Sequence, residues 1–224
     1  MPLIVSFVSQ KGGVGKSTLA RALAVVLRQG GMNALVADLD FQQSTIGAWA
    51  KLRDARGLKP SIPVRRFKTA DDAIIAGDAA DVLIVDGPAR ASAGTLELAR
   101  QSDLVVQPSG CGLDDLRPAV LLFHELLAAG ITRDRLVVAL CRSAGEPEEG
   151  AARRYVDKAK YEVLATVLPE RVAYREAMNG GASVVETSDG KLNERAQALM
   201  DELLKKIRAG VAARAKRGRK EQAS

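Results

Sequence analysis

Short apolar runs alternate along the chain with longer stretches in which apolar residues recur every three or four positions. The short runs are rich in Val, Ile and Leu, as in Val82-Leu83-Ile84-Val85, and stand between glycine, proline or charged residues. Uninterrupted apolar runs of this length are typical of strands that are buried on both faces. The pattern predicts strands over residues 3–9, 33–39, 64–67, 81–86, 104–107, 135–141 and 163–168.

The longer stretches have the spacing of amphipathic helices. The first of them places Leu19, Leu23, Val26 and Leu27 on one side and is followed by Gly30-Gly31, a common helix end. The same kind of spacing predicts helices over residues 16–29, 44–56, 113–129, 148–160 and 191–213, with one more helix after the strand at 64–67.

The regular alternation of strands and helices predicts an α/β fold, with a mostly parallel twisted sheet that carries helices on both faces. The chain has 224 residues, which fits a single domain with its own core. We find no internal repeat and no linker, and we expect one domain over residues 1–213 followed by a basic, disordered tail over residues 214–224.

Composition changes this picture little but excludes several classes of protein. Aromatic residues make up only 4% of the chain, so the core must be built mainly from aliphatic side chains. The apolar runs are too short to cross a bilayer and the N-terminus lacks the pattern of a signal peptide, so we expect a cytoplasmic protein without membrane insertion. Cys111 and Cys141 are expected to be free thiols, because two cysteines make neither a disulfide framework nor a metal site.

The charge is unevenly distributed. The chain carries a net charge of +6, and residues 205–220 contain eight basic side chains and no acidic one. On charge alone, this run is equally consistent with contact to nucleic-acid phosphates and with a solvated tail. A membrane-surface helix is disfavoured, because no large apolar residue follows Val211 to anchor it.

The segment from Gln10 to Thr18 has the pattern of a phosphate-binding loop. It follows a predicted buried strand and opens a predicted helix, and its three glycines allow a tight turn whose N–H groups converge on phosphate oxygens. Lys16 supplies a cation for the β- and γ-phosphates, and the Ser17 hydroxyl is a ligand for Mg²⁺. The residues predicted to bind nucleotide here are Lys11, Gly12, Gly13, Val14, Gly15, Lys16, Ser17 and Thr18.

Three acidic residues stand where two predicted strands end. Asp38 and Asp40 close the second strand, and Asp86 closes Val82-Leu83-Ile84-Val85. In an open α/β sheet the carboxyl ends of the strands line the ligand crevice, so these carboxylates are expected beside the loop. There they can hold Mg²⁺ and position a hydrolytic water.

The string Lys-Gly-Gly-Val-Gly-Lys-Ser-Thr resembles the deviant Walker A loop of the ParA/MinD family of P-loop ATPases. Gln10 replaces the first glycine of the common pattern, and Lys11 matches the additional signature lysine of that family. The resemblance implies a P-loop NTPase fold, ATP and Mg²⁺ as cofactors, and a homodimer in which Lys11 reaches the partner's nucleotide. An additional cation there would help to neutralise the γ-phosphoryl oxygens, as an arginine finger does.

The resemblance also implies roles for the acids. Asp40 becomes a catalytic residue together with Lys11 and Lys16, while Ser17, Asp38 and Asp86 become the metal residues. Two positions differ from the family pattern: Phe41 replaces a common proline, and Gly87 precedes Pro88 where a threonine is usual.

Further matches extend over nearly the whole chain. Gln107-Pro108-Ser109 resembles a family turn, and the segment from Leu168 to Ala177 resembles its late nucleotide-side loop, which implies nucleotide contacts from Pro169 and Arg171. Relatives often place an asparagine against the adenine in the region where this chain has Cys141 and Arg142, so the manner of adenine recognition stays open.

The nearest functional resemblance is to short ParA-type partitioning ATPases that lack an N-terminal DNA-binding domain. It implies an ATP sandwich dimer that binds nonspecific DNA of the nucleoid, an adaptor protein that stimulates hydrolysis, and a plasmid, chromosome region or protein cluster as cargo. The DNA contacts are then expected from Arg175, Arg214, Lys216, Arg217, Arg219 and Lys220. The alternatives are a MinD-like membrane-associated positioning ATPase and a redox or metabolic enzyme related to the nitrogenase iron protein.

Overall fold

The computed structural model describes the backbone of residues 2–40, 45–88 and 93–221, and the side chains of residues 2–40, 45–88 and 94–210. The strands β1 to β8 are Leu3–Phe7, Ala34–Asp38, Val64–Arg66, Val82–Asp86, Leu104–Ser109, Leu136–Ser143, Glu162–Val163 and Leu168–Pro169. The helices α1 to α8 are Lys16–Gln29, Thr45–Ala55, Ala70–Ala76, Ala93–Gln101, Leu113–Ala128, Glu146–Lys158, Val172–Asn179 and Gly190–Glu221.

The strands form one sheet in the order β3-β2-β4-β1-β5-β6-β7, with β8 paired to β6. All strand pairs in the described parts of the chain are parallel. The predicted α/β fold with a parallel sheet is therefore confirmed. The register of β2 and β4 matters most for function, because it sets Asp38 directly opposite Asp86 at the carboxyl ends of both strands.

Successive residues of each strand point to opposite faces of the sheet, so two separate cores form. One contains Leu19 and Leu23 of α1, Trp49 of α2 and Leu199 of α8. The other is covered by α3, α4, α5 and α6 and contains residues such as Phe123. The helices thus lie on both faces, as expected. Among the described residues, no helix combines the length and apolar character needed to cross a membrane.

The predicted strand over residues 163–168 is wrong, because the segment forms two strands of two residues each, β7 and β8. Side chains from neighbouring helices form hydrogen bonds with the backbone groups between β7 and β8. Glu202 of α8 accepts from the N–H groups of Ala165 and Thr166, at 2.5 and 2.9 Å, and Arg153 of α6 donates to the Leu164 carbonyl at 2.8 Å. The apolar pattern gave no sign of these partners.

Other differences concern the ends of elements. Strand β5 continues through Pro108 to Ser109. Strand β1 pairs with β5 only as far as Val106, so Pro108 has a neighbouring strand, β6, on one side only, and its missing N–H breaks no pairing on the other side. Helices α4 and α7 were not predicted. Helix α8 is helical as far as Glu221, whereas we expected disorder from residue 214; Ala, Arg and Lys are strong helix formers and no proline interrupts them. The division into 1–213 and 214–224 stays a prediction.

Candidate functional site

The loop between β1 and α1 has the backbone that its glycines allow. Gly13 and Gly15 adopt φ values of 74° and 114°, where side chains with a Cβ are strained. A Cβ on Gly15 would also lie 3.3 Å from the Cys141 Sγ of β6. The Gly15 carbonyl accepts from the Leu19 N–H at 2.9 Å and so opens α1. The loop therefore lies tightly over β6, with the N-terminus of α1 facing the cavity above it.

Lys16 is the buried cation of this loop. Its side chain leaves the residue only 7% exposed, and its Nζ donates to the Lys11 carbonyl at 3.3 Å. Burial lowers the pKa of Lys16, while Asp86 and Asp40 raise it. Lys16 lines a cavity of about 500 Å³ together with Gly12, Ser17, Thr18, Arg21, Asp40 and Thr45. The structure thus brings most of the predicted phosphate-binding residues together around one space.

Asp38 and Asp86 lie next to each other at the carboxyl ends of β2 and β4, and each is only 1% exposed. The Ser17 hydroxyl donates to the Asp86 Oδ2 at 2.6 Å. The other oxygen, Oδ1, is buried and has no hydrogen-bond partner among the described residues. Burial raises the pKa of Asp86 to about 6, with the Ser17 bond and Lys16 acting against that rise.

These residues fit Mg²⁺. The ion takes oxygen ligands, and an unpartnered buried carboxylate oxygen beside a serine hydroxyl is the kind of group that it would satisfy, either directly or through its waters. Ser17, Asp38 and Asp86 would hold it, so the predicted metal residues lie together.

Asp40 is connected to this group through the backbone, since its N–H donates to the Asp38 Oδ1 at 2.9 Å. Its position on the cavity wall suits a residue that positions water. The predicted difference at Phe41 lies outside the described residues, as does Ala89, which follows the Gly87-Pro88 pair.

Lys11 does not face the cavity of its own loop. Its Nζ forms an ion pair with the Asp115 Oδ1 of α5 at 2.9 Å, and its side chain is 43% exposed. Sequence reasoning missed Asp115, because an acidic residue in the first turn of a helix is common for purely structural reasons.

A second cavity, of about 350 Å³, also borders the loop and is lined by Pro169, Arg171 and Tyr174. The nucleotide contacts expected from Pro169 and Arg171 stay a prediction. Arg142 also lines this cavity. This residue has a φ of 58°, and its guanidinium donates to the Gly13 carbonyl and to the Glu170 carboxylate, both at 3.1 Å. Arg142 thereby joins the loop before α1 to the loop after β8.

The predicted DNA residues fall into two groups. Arg175 lines the second cavity and is paired with Glu170, so it lies on the nucleotide side. The other five, which follow Ala213, have side chains outside the described part of α8.

Asp86→Asn tests whether the buried carboxylate is present for function rather than for stability. Its pKa lies at about 6 instead of 3.8, so folding favours the protonated acid, and stability is lost as the pH rises from about 4 through about 6. The difference corresponds to about 3 kcal/mol. Without metal, we expect the variant to be more stable than the natural protein by about 2 kcal/mol at pH 8, because asparagine carries no buried charge. Denaturant unfolding would show the gain at pH 8, about half of it at pH 5 and little of it at pH 4; an equal or lower stability at pH 8 would contradict this account.

Comparison with known proteins also indicates a nucleotide-binding site. The family model for the CobQ/CobB/MinD/ParA nucleotide binding domain matches residues 5–184. The structure resembles that of the septum site-determining protein MinD of Pyrococcus horikoshii OT3 complexed with Mg-ADP, with a TM-score of 0.72 and 19% identity over 91% of this chain and 96% of that one. It also resembles a ParA family ATPase of Chlorobium tepidum TLS, with a TM-score of 0.71 and 17% identity over 91% and 99%.

An iron-sulfur cluster carrier protein of Pseudomonas fragi is 26% identical over 221 residues, which span 80% of this chain and 76% of that protein. The two structural likenesses show the fold, and the matched residues 5–184 contain the phosphate loop and all three aspartates. The predicted ParA/MinD resemblance is therefore confirmed, and the chain belongs to the CobQ/CobB/MinD/ParA family of nucleotide-binding domains.

Proposed function

We propose that this protein is a partitioning ATPase, which forms an ATP-dependent sandwich dimer, binds nonspecific DNA and positions a plasmid, a chromosome region or a protein cluster. The orientation of Lys11 carries the proposal. Lys16 already supplies the cation of the loop, while Lys11 is half exposed and is held by Asp115 away from its own cavity. A lysine in that position is available to the nucleotide of a second molecule.

ATP hydrolysis follows from the groups around the larger cavity. Lys16 neutralises phosphate charge, and the loop N–H groups hold the phosphates in place. Asp40, fixed to Asp38 through its backbone N–H at 2.9 Å, orients the attacking water. Ser17, Asp38 and Asp86 would hold Mg²⁺, which would supply further positive charge to the phosphates.

Exposed apolar side chains support a dimer that closes over this edge of the sheet. Leu113 and Val172 are large apolar residues that are 49% and 57% exposed. Each opens a helix, α5 or α7, that follows a strand ending at the nucleotide edge. A second copy that receives Lys11 would cover both.

The basic end of α8 is the best candidate for DNA contact. Arg175 is paired with Glu170, and Arg195 with Glu149, so these two are already engaged within the domain. In this proposal the basic run after Ala213 binds DNA phosphates without sequence preference. An adaptor protein then stimulates ATP hydrolysis, which releases the dimer from the DNA. The protein would be cytoplasmic and nucleoid-associated.

The location of this basic run determines how nucleotide can control it. Helix α8 begins beside the nucleotide edge and reaches the opposite edge at Gly210, where a Cβ would lie 3.8 Å from the carbonyl oxygen of Asp103, the residue before β5. Because the run lies far from the nucleotide, ATP would change DNA affinity through dimerisation. A dimer carries two basic runs, which raises its avidity for DNA.

DNA retention in a shift assay tests this function. We expect retention to be strong with ATP and weak with ADP or without nucleotide. Replacing Arg214, Lys216, Arg217, Arg219 and Lys220 with glutamine should weaken the ATP-bound complex by at least about tenfold and flatten its salt dependence. The basal hydrolysis rate of this variant serves as the control and should not change. Equal retention in all three nucleotide states would contradict the switch, and full retention by the variant would contradict the role of the run.

The iron-sulfur carrier relative favours a second candidate, a metal-cluster protein on the same fold. Cluster ligation needs thiolates, yet both cysteines are buried, and burial raises the pKa of Cys111 to about 11 and that of Cys141 to about 12. We therefore prefer the partitioning function. Anaerobic reconstitution with iron and sulfide separates the two, since a stable brown protein would support the carrier.

A further inference from the structure

Arg21 is a partly buried cation in the nucleotide site, and the proposed mechanism gives it no task. It lies on α1 one turn after Ser17 and lines the larger cavity together with Asp40 and Thr45. Side chains on a helix lean towards its N-terminus, and one turn rises by roughly 5.4 Å. The guanidinium can therefore reach the level of Ser17, where the metal would be held.

The contacts of Arg21 are electrostatic and aromatic. The centre of its guanidinium lies 5.3 Å from the ring of Trp49. Its Nε is buried and has no hydrogen-bond partner among the described residues. Burial lowers the pKa of Arg21, and the charges of Asp86 and Asp38 raise it. The side chain is thus attracted to the carboxylate pair, with its Nε left available.

Two adjacent buried carboxylates require positive charge. Asp38 and Asp86 are paired in register and each is only 1% exposed, so little water screens the repulsion between their negative charges. Lys16 donates to the Lys11 carbonyl at 3.3 Å, within the loop. Arg21 is the second cation that lines the same cavity.

We propose that Arg21 is an internal counter-cation of the Asp38–Asp86 pair, against which Mg²⁺ must compete when it enters the site. Arg21 then sets how much Mg²⁺ the protein needs, and it moves relative to Trp49 as the metal binds. This inference rests on the proposed Mg²⁺–nucleotide site and gives that site a residue that regulates it.

Trp49 offers a direct signal, because it is the only tryptophan of the chain. It is 4% exposed, and its indole N–H donates to the Ala182 carbonyl at 2.7 Å. Arg53, 5.8 Å from the ring, cannot move easily, since Glu186 accepts from both of its terminal nitrogens at 2.8 Å. A change in Trp49 fluorescence on metal binding therefore reports on Arg21 rather than on Arg53.

The test is a Mg²⁺ titration at saturating ADP, which avoids hydrolysis, followed by Trp49 fluorescence and by thermal unfolding. We expect Arg21→Gln to bind Mg²⁺ about tenfold more tightly, because a neighbouring positive charge is removed. The fluorescence change seen in the natural protein should largely disappear. Arg21→Lys keeps the charge and should stay within about twofold of the natural protein. Arg28→Gln is the matched control, since Arg28 lies on the same helix but bonds to the exposed Asn33.

Unchanged or weaker Mg²⁺ binding by Arg21→Gln would overturn the proposal. So would a natural protein whose Trp49 fluorescence does not change when Mg²⁺ is added. Weaker ADP binding with unaltered Mg²⁺ dependence would assign Arg21 to the phosphates instead and would overturn it as well. If Arg21→Gln does not fold, Arg21→Met keeps the apolar stem against Trp49 and carries the same expectation. A natural protein that binds no Mg²⁺–ADP would refute the nucleotide site itself, which is a different failure.

Discussion

Asp40→Ala is expected to bind ATP as the natural protein does and to hydrolyse it at least about a hundredfold more slowly. The reason is that Asp40 lies on the cavity wall with its backbone fixed to Asp38, whereas the phosphates are held by the loop and Lys16. Loss of a group that positions water lowers the rate of the chemical step by about two to four orders of magnitude and leaves ground-state binding intact. Steady-state phosphate release and equilibrium binding of a fluorescent ATP analogue would measure the two effects.

The control is Asp54→Ala, which removes an exposed carboxylate from α2, outside the two nucleotide cavities. It should keep both the affinity and the rate. An Asp40→Ala variant that hydrolyses ATP at the natural rate would show that another group positions the water. Loss of ATP binding would show instead that Asp40 supports the metal or the phosphates.

Lys11→Ala is expected to bind ATP but to lose the dimer, with a dimer dissociation constant about a hundredfold higher. Lys11 faces away from its own cavity, so its removal leaves the Lys16 site intact. Truncating one member of a buried charge pair across an interface costs about 2–5 kcal/mol, and the partner's γ-phosphate would be left without this cation. Light scattering at several protein concentrations, with ATP in excess, measures the change.

Asp115→Asn separates the contribution of Lys11 to the dimer from its ion pair with Asp115 in the monomer. It removes the charge of the residue that holds Lys11 at 2.9 Å, and it keeps the shape of that side chain. The variant should dimerise at least as well as the natural protein, because Lys11 no longer has to leave an ion pair. If Asp115→Asn abolished the dimer while Lys11→Ala did not, Asp115 rather than Lys11 would be the contact to the second molecule.

The central part of the fold was predictable because its strands are buried on both faces and read as continuous apolar runs. The strands ending at Asp38 and Asp86 were found in this way, and the rule that ligands bind at the carboxyl ends of parallel strands placed the two acids together. The register that sets Asp38 opposite Asp86 confirms their adjacency. The edge of the sheet was less predictable, since β7 and β8 have two residues each and depend on Glu202 for their shape.

The contacts that sequence reasoning missed join distant parts of the chain. Asp115 is 104 positions from Lys11, and Arg142 is 129 positions from Gly13. Arg21 carries no local signal, because an arginine in a helix is usually solvated. The phosphate loop was identifiable because its chemistry needs glycines, a lysine and a serine in one short segment.

Sedimentation velocity with the Asp40→Ala variant tests the central claim, that ATP assembles two copies around Lys11, most directly. With Mg²⁺ and ATP the variant should sediment as a dimer, and with ADP or without nucleotide as a monomer. Adding Lys11→Ala to the same variant should return it to the monomer in every state. The same mass in all nucleotide states, or a dimer that persists without Lys11, would contradict the account.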